Sequence, residues 1–282
     1  HRLETEADIG RFIDSQLPFD VRGSFGGNTS CVEIIGADEH VICDAGTGLR
    51  DLGQSIVSSG STCGVFNIFI SHPHWDHIQG FPFFMPAFAA GHRINIYGCH
   101  ENLKGIFEMQ QSGPMFPVPL AAMKAKISFI RLEPGRVYDL AGMTVKAARQ
   151  NHPGDSYGYR FDFLGKRVVY STDAEHFGDA LEEGYYFNDF SKGADLLVYD
   201  AQYSLADAIV YKEHWGHSSN VVGVEQAVKA GVKRLCMYHG EHTRGDAEIE
   251  KMLQDTREYL KTFAPDSPLE IVQAYDGLMV EI

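Results

Sequence analysis

Short apolar runs bounded by polar, glycine- and proline-containing turns set the rhythm of this chain. They predict strands over 31–35 and 40–43, paired as a hairpin, and over 65–71, 94–97, 127–132, 143–148, 157–163, 167–171, 196–199, 234–238, 269–274 and 278–282. Longer stretches with an apolar stripe predict helices over 4–17, 49–58, 101–111, 221–230 and 247–263, with Gly231 ending the fourth as a left-handed cap. The first half is mostly strands and the second mixes strands with helices. No repeat or low-complexity linker breaks the chain, which suits one α/β domain over 1–282 with residues 1–20 as an N-terminal extension.

One strand ends in unusual chemistry. The run 65–71 leads into His72-Pro73-His74-Trp75-Asp76-His77, four metal-competent side chains within six residues. Imidazole and carboxylate are the usual ligands of Zn, Mn or Fe. A tight turn after a buried strand can aim all four at one point. A surface loop with a chance His cluster is the plainer reading. Three further residues of ligand type downstream, each on a loop after a predicted strand, weigh against it: His152 in Asn151-His152-Pro153-Gly154, Asp173 in Ser171-Thr172-Asp173, and His239 in Met237-Tyr238-His239-Gly240.

This set resembles the metallo-β-lactamase superfamily, whose signature is His-x-His-x-Asp-His after a strand, followed by a later His, Asp and His. The resemblance runs from about residue 24 to the C-terminus. It implies a four-layer αββα sandwich with two divalent metal ions, by default Zn, at one edge of the sheets. His72, His74 and His152 would bind the first ion, and Asp76, His77 and His239 the second. Asp173 would bridge them, and Asp76 would also orient the nucleophile. Such ion pairs clamp both oxygens of a displacement and bring the pKa of water to about 7. Asp173 and His77 stand where true metallo-β-lactamases differ, His74 where flavodiiron proteins carry Glu, and the chain after His239 is too short for the helical domain of glyoxalase II proteins.

A second constellation, Trp215-Gly216-His217-Ser218-Ser219, precedes His239 by 22 residues counted from His217. It is similar to the ribonuclease Z group of phosphodiesterases, in which such a His donates a proton to the leaving oxygen. That makes His217 a candidate general acid and Asp200 its orienting partner. The alternative is a plain helix-start residue with Ser218 or Ser219 as the cap. His176, His214 and His242 are weaker candidates, for pocket lining or for surface positions. Asp44-Ala45-Gly46-Thr47-Gly48 lacks the Lys of a phosphate loop and reads as a strand-to-helix connection with Asp44 structural. The run Phe81, Phe83, Phe84, Met85 and Phe88 reads as core, or as a wall that stacks a base. Residues 98–125 read as a lid.

Composition narrows the substrate more than the fold. Hydrophobic residues make up 44% and charged residues 22%, an ordinary soluble balance, with no apolar run of about 18 residues. The net charge of −14 counts against a broad nucleic-acid surface, and no basic arm for gripping tRNA is evident. Expected instead is a small phosphodiester such as a cyclic nucleotide. Competing readings are a thioester or lactone hydrolase on the same metals, and a metal-bound nucleotide sensor without turnover. Five cysteines with no CxxC pair read as free thiols of a reducing, cytoplasmic protein. The resemblance also implies a homodimer. The first residue is His1, which reads as the start of a truncated or processed piece.

Overall fold

The computed structural model describes residues 5–176, 182, 184–210 and 212–282. Two sheets pack face to face, each covered on its outer side by helices. The first contains β1 (Val32–Ile34), β2 (His40–Cys43), β3 (Val65–Phe69), β4 (Arg93–Gly98) and β5 (Lys126–Arg131) in that order, antiparallel between β1 and β2 and parallel thereafter. The second contains β6 (Val137–Leu140), β7 (Met143–Gln150), β8 (Ser156–Phe163), β9 (Lys166–Ser171), β10 (Leu196–Asp200), β11 (Arg234–Tyr238) and β12 (Glu270–Gln273). Its first four strands form an antiparallel meander, and β9 to β12 are parallel.

Alternate residues of the central strands serve different layers, which is why those strands read as continuous apolar runs. Ile42, Phe66, Ile68, Ile94 and Ile96 face outward onto α3 (Gly48–Ser59) and α5 (Leu103–Gln110). Val41, Cys43, Phe69, Val145, Tyr159, Tyr170, Val198 and Cys236 fill the space between the sheets. Val169, Leu197, Tyr199, Leu235 and Met237 face the opposite outer layer, formed by α6 (Tyr186–Ser191), α8 (Asn220–Ala230) and α9 (Asp246–Phe263). The result is the four-layer αββα sandwich. Helix α8 starts where Ser219 accepts from the Val222 amide at 3.3 Å, and it ends at Gly231 with φ 67°.

Several sequence expectations change. Residues 278–282 are not a strand: their apolar letters find no ladder partner beyond β12. The first helix, α1, spans Glu6–Gln16 and buries none of its residues, and Glu4 lies outside the described residues; the short helices α2 (Phe19–Arg22), α4 (Trp75–Ile78) and α7 (Leu205–Val210) complete the series. Phe81 and Phe84 are core, whereas Phe83 and Met85 are about half exposed (52% and 50%). The 98–125 stretch is not a free strap. Its helix α5 buries Leu103, Phe107 and Gln110, and Gln110 donates to the Ile78 carbonyl at 2.8 Å. All five cysteines are free, with Cys43, Cys99 and Cys236 buried. No helix among the described residues is long and apolar enough to cross a membrane.

Candidate metal centre

Strand C-termini from both sheets converge at one edge. From the first sheet come Asp44 after β2 and the His72–His77 segment after β3. From the second come His152 after β7, Asp173 after β9, Asp200 at the end of β10 and His239 after β11. Asp44, Asp173 and His239 have φ of 60°, 52° and 57°, a left-handed conformation uncommon outside glycine. Such strain collects where loop geometry is fixed by function.

The residues form two triads. In one, His74 Nδ1 lies 2.9 Å from His72 Nε2 and 3.2 Å from His152 Nε2. In the other, Asp76 Oδ2 lies 3.1 Å from both His77 Nε2 and His239 Nε2. Asp173 sits between them with its oxygens divided. Oδ1 is 3.7 Å from His72 Nε2 and from His152 Nε2, and Oδ2 is 3.2 Å from His77 Nε2 and 3.4 Å from His239 Nε2. All seven predicted ligands therefore meet at one place, and each triad offers atoms close enough together to hold one cation.

The partners behind the imidazoles fix which nitrogen points inward. His77 Nδ1 is 2.7 Å from Asp44 Oδ2, His152 Nδ1 donates to the Gly216 carbonyl at 2.8 Å, and His72 Nδ1 is 3.1 Å from Ser71 Oγ. Such contacts set tautomer and ring orientation at metal sites. Asp44 thus does more than hold a turn. Fully buried, it also accepts from the Ser71 amide and hydroxyl, each at 2.7 Å, and from the Tyr170 hydroxyl at 2.6 Å. Only its place at a strand end beside the histidine motif hinted at this in the sequence. The glycines of this turn are required by contact: a Cβ on Gly46 would lie 2.3 Å from the Asp76 carbonyl oxygen.

The electrostatics of the triads differ. Burial holds the imidazoles of His72, His74 and His152 below their ordinary pKa, so they are neutral donors. Around the second triad burial acts in the same direction, but carboxylates outweigh it. Asp173 and Asp44 raise His77 well above its ordinary value, and Asp173 with Asp76 raises His239 to about 9. Three neutral imidazoles on one side, and two imidazoles among carboxylates that favour positive charge on the other, are the donor set that a pair of divalent ions fits.

His217 lies over the centre. Its ring stacks on His239 at 5.2 Å between centroids and meets His152 edge-on at 5.0 Å, one contact to each triad. Its Nδ1 is 2.8 Å from Asp200 Oδ2, and a buried Asp200 also accepts from the Ala174 amide at 3.1 Å. Burial opposes protonation of His217, but Asp200 raises it above the ordinary value. Ser219, not Ser218, caps α8; Ser218 Oγ instead donates to the Ala174 carbonyl at 2.6 Å. Of the weaker histidines, His176 is buried among Tyr185, Phe187 and Tyr199, and the His214 and His242 side chains are 74% and 87% exposed.

The family profile described as "Beta-lactamase superfamily domain" matches residues 39–240, and the chain belongs to this metallo-β-lactamase superfamily as a metal-dependent hydrolase. Ribonuclease Z of Picrophilus torridus is 25% identical over 261 residues, covering 73% of this chain and 78% of that protein. Two solved structures share the fold. The metallo-beta-lactamase fold protein YhfI from Bacillus subtilis has a TM-score of 0.66 at 21% identity, covering 91% of this chain and 95% of the other. A diphosphatase from the PhnP family has a TM-score of 0.61 at 22% identity, covering 90% and 84%.

Proposed function

We propose that His72, His74 and His152 hold one divalent ion and Asp76, His77 and His239 a second, with Asp173 shared, and that the protein cleaves a small phosphodiester such as a cyclic nucleotide. The division of the Asp173 oxygens between the two triads carries this reading. Bound there, the ions would supply Lewis acidity and a nucleophile from water at neutral pH. The rest falls to the chain. Asp76, 39% exposed at its side chain, is the carboxylate positioned to orient that nucleophile. His217 carries the proton for the leaving oxygen. Asp200 takes its Nδ1–H and favours the charged ring, which leaves Nε2 as the donor.

An alkoxide leaving group needs that proton, whereas p-nitrophenolate leaves without it. His217→Ala should therefore lower turnover of an alkyl phosphodiester roughly 10²–10⁴-fold and spare bis-p-nitrophenyl phosphate. Equal loss on both substrates would overturn the acid role. The kinship with ribonuclease Z favours a second reading, an RNA substrate. The net charge of −14 argues for the smaller ligand. Turnover on cyclic nucleotides, bis-p-nitrophenyl phosphate and a pre-tRNA, with metal content measured on the same sample, decides between them. About two ions per chain without cleavage of any phosphodiester would transfer the assignment to thioesters or lactones.

A further inference from the structure

The loop that delivers His217 is held by a carboxylate with no part in either triad. His214 and Gly216 have φ of 68° and 88°, so two left-handed residues flank Trp215. That conformation turns their amides inward, toward a common point. Glu175 occupies it: Oε1 accepts from the His214 amide at 2.7 Å and Oε2 from the Gly216 amide at 3.1 Å. Successive amides around a left-handed residue make an anion-binding concavity, and here the anion is the chain's own buried side chain.

The same contacts reach both sides of the candidate centre. The Gly216 carbonyl takes the Nδ1–H of His152, and a Cβ on Gly216 would lie 2.4 Å from His152 Nδ1. The Glu175 amide donates to the Asn151 carbonyl at 2.9 Å, next to His152 in the chain. On the other side His217 follows Gly216 directly, and Ser218 ties back to the Ala174 carbonyl and the His176 amide. We infer that Glu175 is a positioning residue that locks the 214–217 loop, fixing through it the ring of His152 and the placement of His217. This rests on the roles given to those two histidines above.

The carboxylate is required because it only accepts. In Glu175→Gln the amide NH₂ must face either the His214 or the Gly216 N–H, so one of the two bonds becomes a donor–donor contact. The test uses the full metal-loaded protein. E175Q should hold one of its two ions roughly 10–100-fold more weakly in competition with a chromogenic chelator, as expected when a partner behind a ligand is lost. It should also lose about 10²-fold in kcat on an alkyl phosphodiester, with KM within about twofold, while bis-p-nitrophenyl phosphate is largely spared. Wild-type metal retention with an unchanged leaving-group profile would overturn the inference. So would an equal loss on both substrates accompanied only by a lower Tm, the mark of a purely structural role. Should E175Q not fold, Glu175→Asp keeps the acceptor pair on a shorter stem and is read by the same two results. If the wild type cleaves neither phosphodiester, the proposed function fails, and the chelator competition still decides the clamp.

Discussion

Asp44 concentrates more of the site's organisation than any proposed ligand does. Four donors converge on its two oxygens, from Ser71 twice, Tyr170 and His77. Asn tolerates the φ of 60° found there, so Asp44→Asn isolates the hydrogen bonds from the backbone. It should cost roughly 3 kcal/mol of stability in denaturant titration, because an amide nitrogen would face a buried donor. His176 makes a second prediction. Burial pushes its pKa down to about 3, from about 6.5 in an unfolded chain. The unfolded state then binds more protons between those values, so the stability this group permits at neutral pH is lost as pH falls from about 6.5 toward 3. In His176→Phe the fall of Tm over that window should be shallower than in the wild type, as scanning calorimetry would show. At this scale the candidate cluster was legible because four of its seven members lie within six residues of sequence. Asp44, Glu175 and Gly216 were not, because their partners lie 27 to 126, 39 to 41 and 64 residues away.

Among elements, the strands buried on both faces were the easiest to read, since core on each side demands unbroken apolar runs. The strand β6 escaped notice because it is half wet, with Val137 and Asp139 exposed. The short 3₁₀ turns at Phe81–Phe83 and Met85–Phe88 have no repeating pattern to betray them. Residues 278–282 show the converse error, apolar letters without a neighbouring strand. Helix α8 matters most to the site, because it begins two residues beyond Ser218. It packs tightly on β10, where a Cβ on Gly223 would lie 2.8 Å from Tyr199 Cδ1. Gly223→Ala should therefore push the helix outward. We expect a loss of about 1–3 kcal/mol in chemical denaturation and, because α8 carries the cap that follows His217, lower turnover as well.

For the whole molecule, the proposed ligands come from two sheets. His72, His74, Asp76 and His77 belong to the first, and His152, Asp173 and His239 to the second. Ions bound there join the sheets at one rim. Each ion held at 100 times its Kd adds about 2.7 kcal/mol by mass action. Chelation should thus lower Tm, and in hydrogen exchange it should loosen the ends of β3, β9 and β11 at that rim while the opposite ends stay protected.

The boundary between the sheets in sequence falls in the short link between Arg131 and Val137. A chain divided there would yield two pieces, each with its own helix-covered outer layer and each with an incomplete set of donors. Neither piece could retain a cation in the shared position alone. Reunion of the fragments would bury the core between the sheets and rebuild the donor set at their rim, so a divalent ion would tighten the complex, its withdrawal would loosen it, and regained turnover would report the assembly.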